Sequence, residues 1–140
     1  MRETDPSFDA FYRREVRALI GLAFVLSGSR VGAEDIAHDA LAVAAQRWPE
    51  VCRLDNPGAW VRRVVANRSV SAVRRRVSEA KVHLRMLARR EVVVVAELPA
   101  DSAELWRLVR ALPPRQAQVV ALKALDGLSL QEIAEVLGLS

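Results

Sequence analysis

The sequence predicts an all-α fold: an N-terminal three- to four-helix bundle over residues 1–77, a linker over 78–100, and a helical C-terminal unit over 101–140 that ends in half of a helix-turn-helix. Three observations predict it. Every long segment repeats its apolar residues at helical spacing, and none alternates convincingly at period two. Helix-start signals recur: Asp5-Pro6 and Asn56-Pro57 each place a capping side chain before a proline suited to the first turn. Stop signals follow at Ser27-Gly28, Pro49, Pro113-Pro114, Gly127 and Gly138.

The first helix starts at Asp5-Pro6, and Phe8, Phe11, Tyr12, Val16, Leu19, Ile20, Ala23 and Leu26 hold helical spacing as far as Ser27-Gly28. Ser29 is placed to cap the second helix, which is expected to run to about Trp48 with Ile36, Ala37, Ala40, Val43, Ala44 and Trp48 facing inward. A third helix opens at Asn56-Pro57 and reaches at least Arg76. Residues 78–100 read as a linker: Glu79 to Arg90 suits a helical extension, but Val92-Val93-Val94-Val95 is β-branched without a partner strand, and Pro99 ends the stretch.

The next helix starts at Asp101, and Leu105, Leu108, Val109 and Leu112 at i, i+3, i+4 and i+7 predict its inward face. Pro113-Pro114 breaks it, a helix from Arg115 to about Leu125 follows, and Asp126-Gly127 turns the chain. Ser129 and Glu132 then form a capping box, Ile133, Val136 and Leu137 supply an apolar stripe with Ala134 beside it, and Gly138 is placed as the left-handed residue that ends the helix. A recognition helix would follow in a complete helix-turn-helix. None follows before Ser140, so the stripe is expected to lack a packing partner and lie exposed.

Composition narrows the function classes. With 51% apolar and 27% charged residues the chain is globular in character. The longest apolar run, Leu19 to Leu26, falls short of the roughly 18 residues of a membrane span. The polar N-terminus carries no signal-peptide pattern, so a cytoplasmic location is expected. Cys52 is the one cysteine, without a disulfide partner or nearby metal ligands. There is no phosphate-cradling glycine loop, nucleophile–base pair or metal cluster, and His83 is a lone histidine in a basic stretch. A protein that is not an enzyme, with no cofactor and no metal, is expected.

Charge is unevenly spread. Between Val61 and Arg90 ten basic residues face one acid, Glu79; that segment carries +9 in a chain of net +4, leaving −5 for the remainder. Such a block fits nucleic-acid binding or a solvated helix face. Within it Arg63, Asn67, Ser71 and Arg74 lie at i, i+4, i+8 and i+11, one polar stripe along the third helix. Arginine can neutralise phosphate, and asparagine can pair with a base edge. Trp60, near the helix start, reads either as a core anchor or as a stacking surface for an unstacked base. Arg74-Arg75-Arg76 reads as a phosphate contact or as a favourable helix terminus. In the second helix Asp35, His38, Asp39, Ala42 and Gln46 share one face opposite the apolar seam, which suits a solvated surface or a docking face. Asp35, His38 and Asp39 lack the further ligand a metal site would need.

Four passages in order carry a family resemblance: Phe8-Asp9-Ala10-Phe11-Tyr12; Ala33-Glu34-Asp35-Ile36-Ala37-His38-Asp39-Ala40-Leu41; Asn56-Pro57-Gly58-Ala59-Trp60-Val61-Arg62-Arg63-Val64-Val65-Ala66-Asn67; and Ala111-Leu112-Pro113-Pro114-Arg115-Gln116 through Leu139. Together they resemble the sigma-70 family of bacterial transcription initiation factors, of the compact extracytoplasmic-function (ECF) type. The resemblance implies region 2 over 1–77 and a partial region 4 over 101–140.

It also implies core RNA polymerase (the β′ clamp helices and β flap), promoter DNA and an anti-sigma factor as partners, with no membrane insertion. The polymerase-binding residues would be Asp35, His38, Asp39, Ala42 and Gln46, with His38 standing where the family usually has glutamine. The minus-ten residues would be Arg53, Asn56, Trp60, Arg62, Arg63, Asn67, Ser71, Arg74 and Arg75. Residues 52–56 would form the pocket for a flipped base, and Ser71 replaces the family's usual aspartate. Ser129, Glu132, Ile133, Ala134, Leu137 and Gly138 would form the partial helix-turn-helix. The competing expectation is an interaction module that binds polymerase or an anti-sigma factor without initiating transcription.

Overall fold

The computed structural model describes the backbone of residues 4–84 and 100–139, with side chains described for 8–73, 75 and 102–139. Seven helices occupy the described residues: α1 Thr4–Ser27, α2 Arg30–Gln46, α3 Trp48–Val51, α4 Pro57–Leu84, α5 Ala100–Arg110, α6 Pro114–Asp126 and α7 Leu130–Leu137. The tetravaline Val92–Val95 and most of the expected linker lie outside the described residues, as does the side chain of His83.

Helix α1 is the centre of the molecule because its second half is apolar on every side. Leu22, Ala23, Phe24, Val25 and Leu26 are all buried, which a helix tolerates only when others surround it. Helices α2, α4, α5 and α6 do so. Alanines at 33, 37, 40 and 44 form the buried seam of α2, small enough for a close approach to α1. Leu41 completes that seam, whereas Ile36 and Val43 are only half-buried, so the inward face is rotated from the expected one.

Helix α2 ends at Gln46 rather than Trp48, and the chain re-enters a single turn, α3, with Pro49 in the first turn, where its missing N–H costs nothing. Trp48 seats that turn on α1, its ring 5.2 Å from Phe8 edge-on and 5.0 Å from Phe11.

Three of the expected caps form, whereas α1 begins at Thr4, so Asp5 lies inside the helix rather than capping it. Ser29 Oγ accepts from Gly32 N at 3.0 Å and caps α2. Asn56 Oδ1 accepts from Ala59 N at 3.1 Å and caps α4. At α7 both halves of the capping box are formed, Glu132 N to Ser129 Oγ at 3.1 Å and Ser129 N to Glu132 Oε1 at 2.8 Å. Gly127 and Gly138 end α6 and α7 in the left-handed conformation.

Helix α4 continues through Leu84, in keeping with a third helix that reaches at least Arg76 and with the helical extension that the stretch from Glu79 suits, because Ser78-Glu79-Ala80-Lys81 contains no breaker. Two expectations are corrected. Helix α5 turns Trp106 (6% exposed) and Val109 inward and leaves Leu105 and Leu108 at 54% and 59% exposure, with Leu112 also exposed. The wider leucine stripe is not the packed one, because the tryptophan buries more surface per residue.

The apolar stripe of α7 is not bare either. Ile133, Val136 and Leu137 are 2%, 2% and 3% exposed, packed where α7 meets α4 and α6. The C-terminal unit has found its partner in the N-terminal bundle, and the two share one apolar core.

Candidate nucleic-acid interface

Helix α4 carries two faces with different chemistry. Val61, Val65, Ala66 and Ser69 are buried against the bundle. Arg63, Asn67 and Ser71 point outward and remain exposed, as does Arg75 one turn on; the side chain of Arg74 lies outside the described residues. The exposed stripe from Arg63 to Ser71 spans about 12 Å of helix at 1.5 Å per residue. In the loop before α4, Arg53 is exposed and Asn56 is engaged as the helix cap. Trp60 is half-buried against the core, with the Arg47 guanidinium 5.8 Å from its ring centroid. The core-anchor reading of Trp60 accounts for its buried part.

Arg62 departs from the DNA-contact role expected of it. Its position is in register with buried Ala66 and Ser69 (i+4 and i+7) rather than with the exposed stripe. Nη1 donates to Glu15 Oε1 at 2.8 Å and to the Gly58 carbonyl at 3.2 Å, and Nε donates to Asp126 Oδ2 at 3.0 Å. The three side chains are 14%, 12% and 9% exposed. Burial alone would lower the Arg62 pKa, but the charges of Asp126 and Glu15 and their hydrogen bonds outweigh it and hold the value above the ordinary one. The guanidinium is therefore a permanent cation tying α4 to α1 on one side and α6 on the other. Gly58 leaves room beside it: a Cβ there would sit 3.0 Å from Arg62 Nη1 and 3.1 Å from Glu15 Oε2.

Along α2, Asp35, His38, Asp39, Ala42 and Gln46 are all exposed, one continuous face. His38 stacks its ring on Tyr12 of α1, nearly parallel at 8° with centroids 6.5 Å apart. No group of three or more His, Cys, Asp or Glu among the described residues is arranged to hold a metal ion. Among the described residues no helix is long and apolar enough to cross a membrane.

Comparison with known proteins gives this arrangement a family. Residues 11–79 match the model for sigma-70 region 2, and residues 102–140 match that for sigma-70 region 4. Over 133 residues the chain is 31% identical to the RNA polymerase sigma-E factors of Streptomyces coelicolor and Streptomyces avermitilis, covering 95% of this chain and 75% and 74% of theirs. The chain belongs to the sigma-70 family, ECF type. It is also 29% identical to the ECF RNA polymerase sigma factor SigE of Mycolicibacterium smegmatis over 142 residues, 95% of this chain and 54% of that one. No solved structure matches it significantly.

As an ECF sigma factor it serves transcription initiation, with core RNA polymerase and promoter DNA as partners. Its region 2 match ends inside α4, and its region 4 match begins inside α5. The sequence reading missed four residues of this sigma factor's α4 surroundings: Glu15, Asp126, Arg115 and Gln118. Gln118 Nε2 donates to the Ala66 carbonyl at 3.0 Å, its Oε1 accepts from Arg115 Nη1 at 3.0 Å, and Asn67 Oδ1 lies 3.5 Å from Nε2. Gln118 had a signal, a polar residue in the Ala117-Ala121-Leu122 seam. The carboxylates had none, because their partner is remote in sequence.

Proposed function

We propose that this sigma factor divides its two partners between the outward faces of α2 and α4. Asp35, His38, Asp39, Ala42 and Gln46 dock on the β′ clamp helices of core polymerase. Arg63, Asn67, Ser71, Arg74 and Arg75 follow the minus-ten strand, the arginines on phosphate and Asn67 on a base edge. Arg53, Asn56 and Trp60 border the pocket that takes a flipped base, where neighbouring positive charge helps offset the few kcal/mol of unstacking. Arg62 acts from inside, holding α4 in place. The C-terminal unit approaches the β flap, an anti-sigma factor restrains the protein, and it works in the cytoplasm as a regulatory subunit without catalysis of its own.

The observation that carries this reading is the exposure of both polar faces on one bundle, with the apolar seam between them. Run-off transcription with core polymerase tests it. Replacing Arg63 and Asn67 by alanine should lower open-complex formation by at least about tenfold, since each base or phosphate contact contributes about 1–3 kcal/mol, while core binding persists. Loss of core binding in that variant would overturn the division of faces. Replacing Asp35 and Asp39 by alanine should do the reverse and weaken core binding first.

A further inference from the structure

Where the corner between α5 and α6 meets the bundle, two clefts of different chemistry lie side by side. The first, about 190 Å³, is apolar: Leu26 of α1 and Ala117 of α6 are buried in it, Val70 and Val73 of α4 half-buried, and Leu112 and Pro114 exposed at its mouth. The second, about 480 Å³, is polar, with Asn67 and Ser71 contributed by α4 and Arg115 and Gln118 by α6. Val70 and Pro114 line both, so the clefts adjoin along that wall. The hollow follows from the sequence, because α4 and α6 meet there through short side chains, two valines and an alanine. Leu112, the last residue before the Pro113-Pro114 corner, stays 37% exposed rather than filling it.

We propose that the paired clefts bind a small amphiphilic anion, with its alkyl or aryl group in the apolar cleft and its phosphate or carboxylate head on Arg115. An apolar cavity of about 150 Å³ takes benzene, so this one takes about six to eight carbons. A two-chain membrane lipid is too large for it, which makes the ligand a free small molecule. Arg110 borders the apolar cleft but is held to α1, its Nη1 donating to the Val25 carbonyl at 3.0 Å. Arg115 is exposed, and of the five donors of a guanidinium its Nη1 carries a bond to Gln118 Oε1 at 3.0 Å. Among the described residues no acid lines either cleft, so the charge selects an anion, and a guanidinium fork matches phosphate and carboxylate oxygens. Apolar hollows with a few convergent polar groups at the seam between structural units are the usual setting of small-molecule sites. Helices α1 and α4 supply one wall and the α5–α6 corner the other, so the ligand couples its concentration to the packing of the two units.

The test titrates the full chain with octyl phosphate, kept below its micelle concentration, and follows methyl proton–carbon correlation spectra. Binding should shift the methyls of Leu26, Val70, Val73 and Leu112 and leave those of Leu105 and Leu108, exposed on α5, in place. Each buried methylene favours binding about fourfold, so butyl phosphate should bind at least about tenfold more weakly and inorganic phosphate more weakly still. Octyltrimethylammonium, with the same chain and the opposite charge, should also bind at least about tenfold more weakly. Arg115→Gln should weaken octyl phosphate by about tenfold, and Arg115→Lys should lose less. Val73→Phe should abolish binding by filling the hollow, and Leu112→Glu, at an exposed position that the fold tolerates, should abolish it by placing an acid at the mouth.

No methyl shift with octyl phosphate, shifts confined to other leucines, or undiminished binding in Leu112→Glu would each overturn the site. Equal affinity for butyl and octyl phosphate would refute the apolar cleft as the seat of the chain. Equal affinity for the ammonium, or unchanged affinity in Arg115→Gln, would refute the anion and its partner.

Discussion

Removing the Arg62 guanidinium should cost far more than removing an ordinary surface arginine. Arg62→Met keeps most of the aliphatic length and deletes the charge. Glu15 and Asp126, 12% and 9% exposed, are then left without their shared cation, and the Gly58 carbonyl loses a donor. Breaking a buried pair by deleting one partner costs about 3–5 kcal/mol, whereas an exposed pair is worth under about 1. For a chain of this size that loss corresponds to a melting temperature lower by about 10–15 °C.

Urea unfolding followed by tryptophan fluorescence measures it, since Trp48, Trp60 and Trp106 report from α3, α4 and α5. Asp126→Asn should cost a smaller share, because Arg62 retains Glu15. The triple replacement Glu15→Gln, Arg62→Met, Asp126→Asn should recover most of the deficit. A loss below about 1 kcal/mol for Arg62→Met would show that water already screens the cluster, and would refute its role as a buried tie. Because the Arg62 pKa is raised, its contribution is fully present below the unfolded value and fades only as pH climbs through the folded one. Arg62 itself therefore adds no stability change near neutral pH.

Two further outcomes separate packed from unpacked surface. In α5, Trp106→Ala should destabilise by about 3–5 kcal/mol and Leu108→Ala by no more than about 0.5, as read from urea midpoints; equal costs would mean the exposed leucine face is covered after all. At α7, Ser129→Ala should cost about 1 kcal/mol through the lost cap, and Gly138→Ala about 1–2 through its left-handed backbone, with Arg63 displaced as well; amide exchange across α7 should accelerate in both.

What the sequence displayed was local. Ser29, Asn56 and the Ser129–Glu132 pair act within three residues, so their capping was legible without knowing any neighbour. The left-handed glycines were legible for the same reason. The inward face of α5 was legible only at Val109: of the expected Leu105, Leu108, Val109 and Leu112 it alone is buried, with Trp106 beside it, because the approach of α1 and α6 chooses among several apolar positions. The stripe of α7 was legible as apolar, but its cover came from α4, in another part of the chain. The stripe Arg63-Asn67-Ser71 was read correctly as one outward face. Arg62 was placed among the minus-ten residues by the family resemblance, although its partners lie 47 and 64 residues away and no local pattern announces them.

Two polar ties between α6 and α4 also fix the alignment of the C-terminal unit on the bundle. The α6 seam is built from Ala117, Ala121 and Leu122, small or smooth residues that would tolerate sliding along α1. Gln118 and Asp126 remove that freedom. Gln118 is fixed to the carbonyl of Ala66, and Asp126, two turns later on α6, is fixed to Arg62, one turn earlier on α4. The order reverses between the helices, so α6 runs against the direction of α4, and a shift of one turn would break both bonds at once. Each tie is individually modest in net energy, but each leaves a buried polar group unsatisfied when misaligned, and that penalty is what selects the register. The apolar seam supplies the buried area between the two units; the amide and the carboxylate decide that Gly138 ends beside Arg63 and Arg115 beside Ser71.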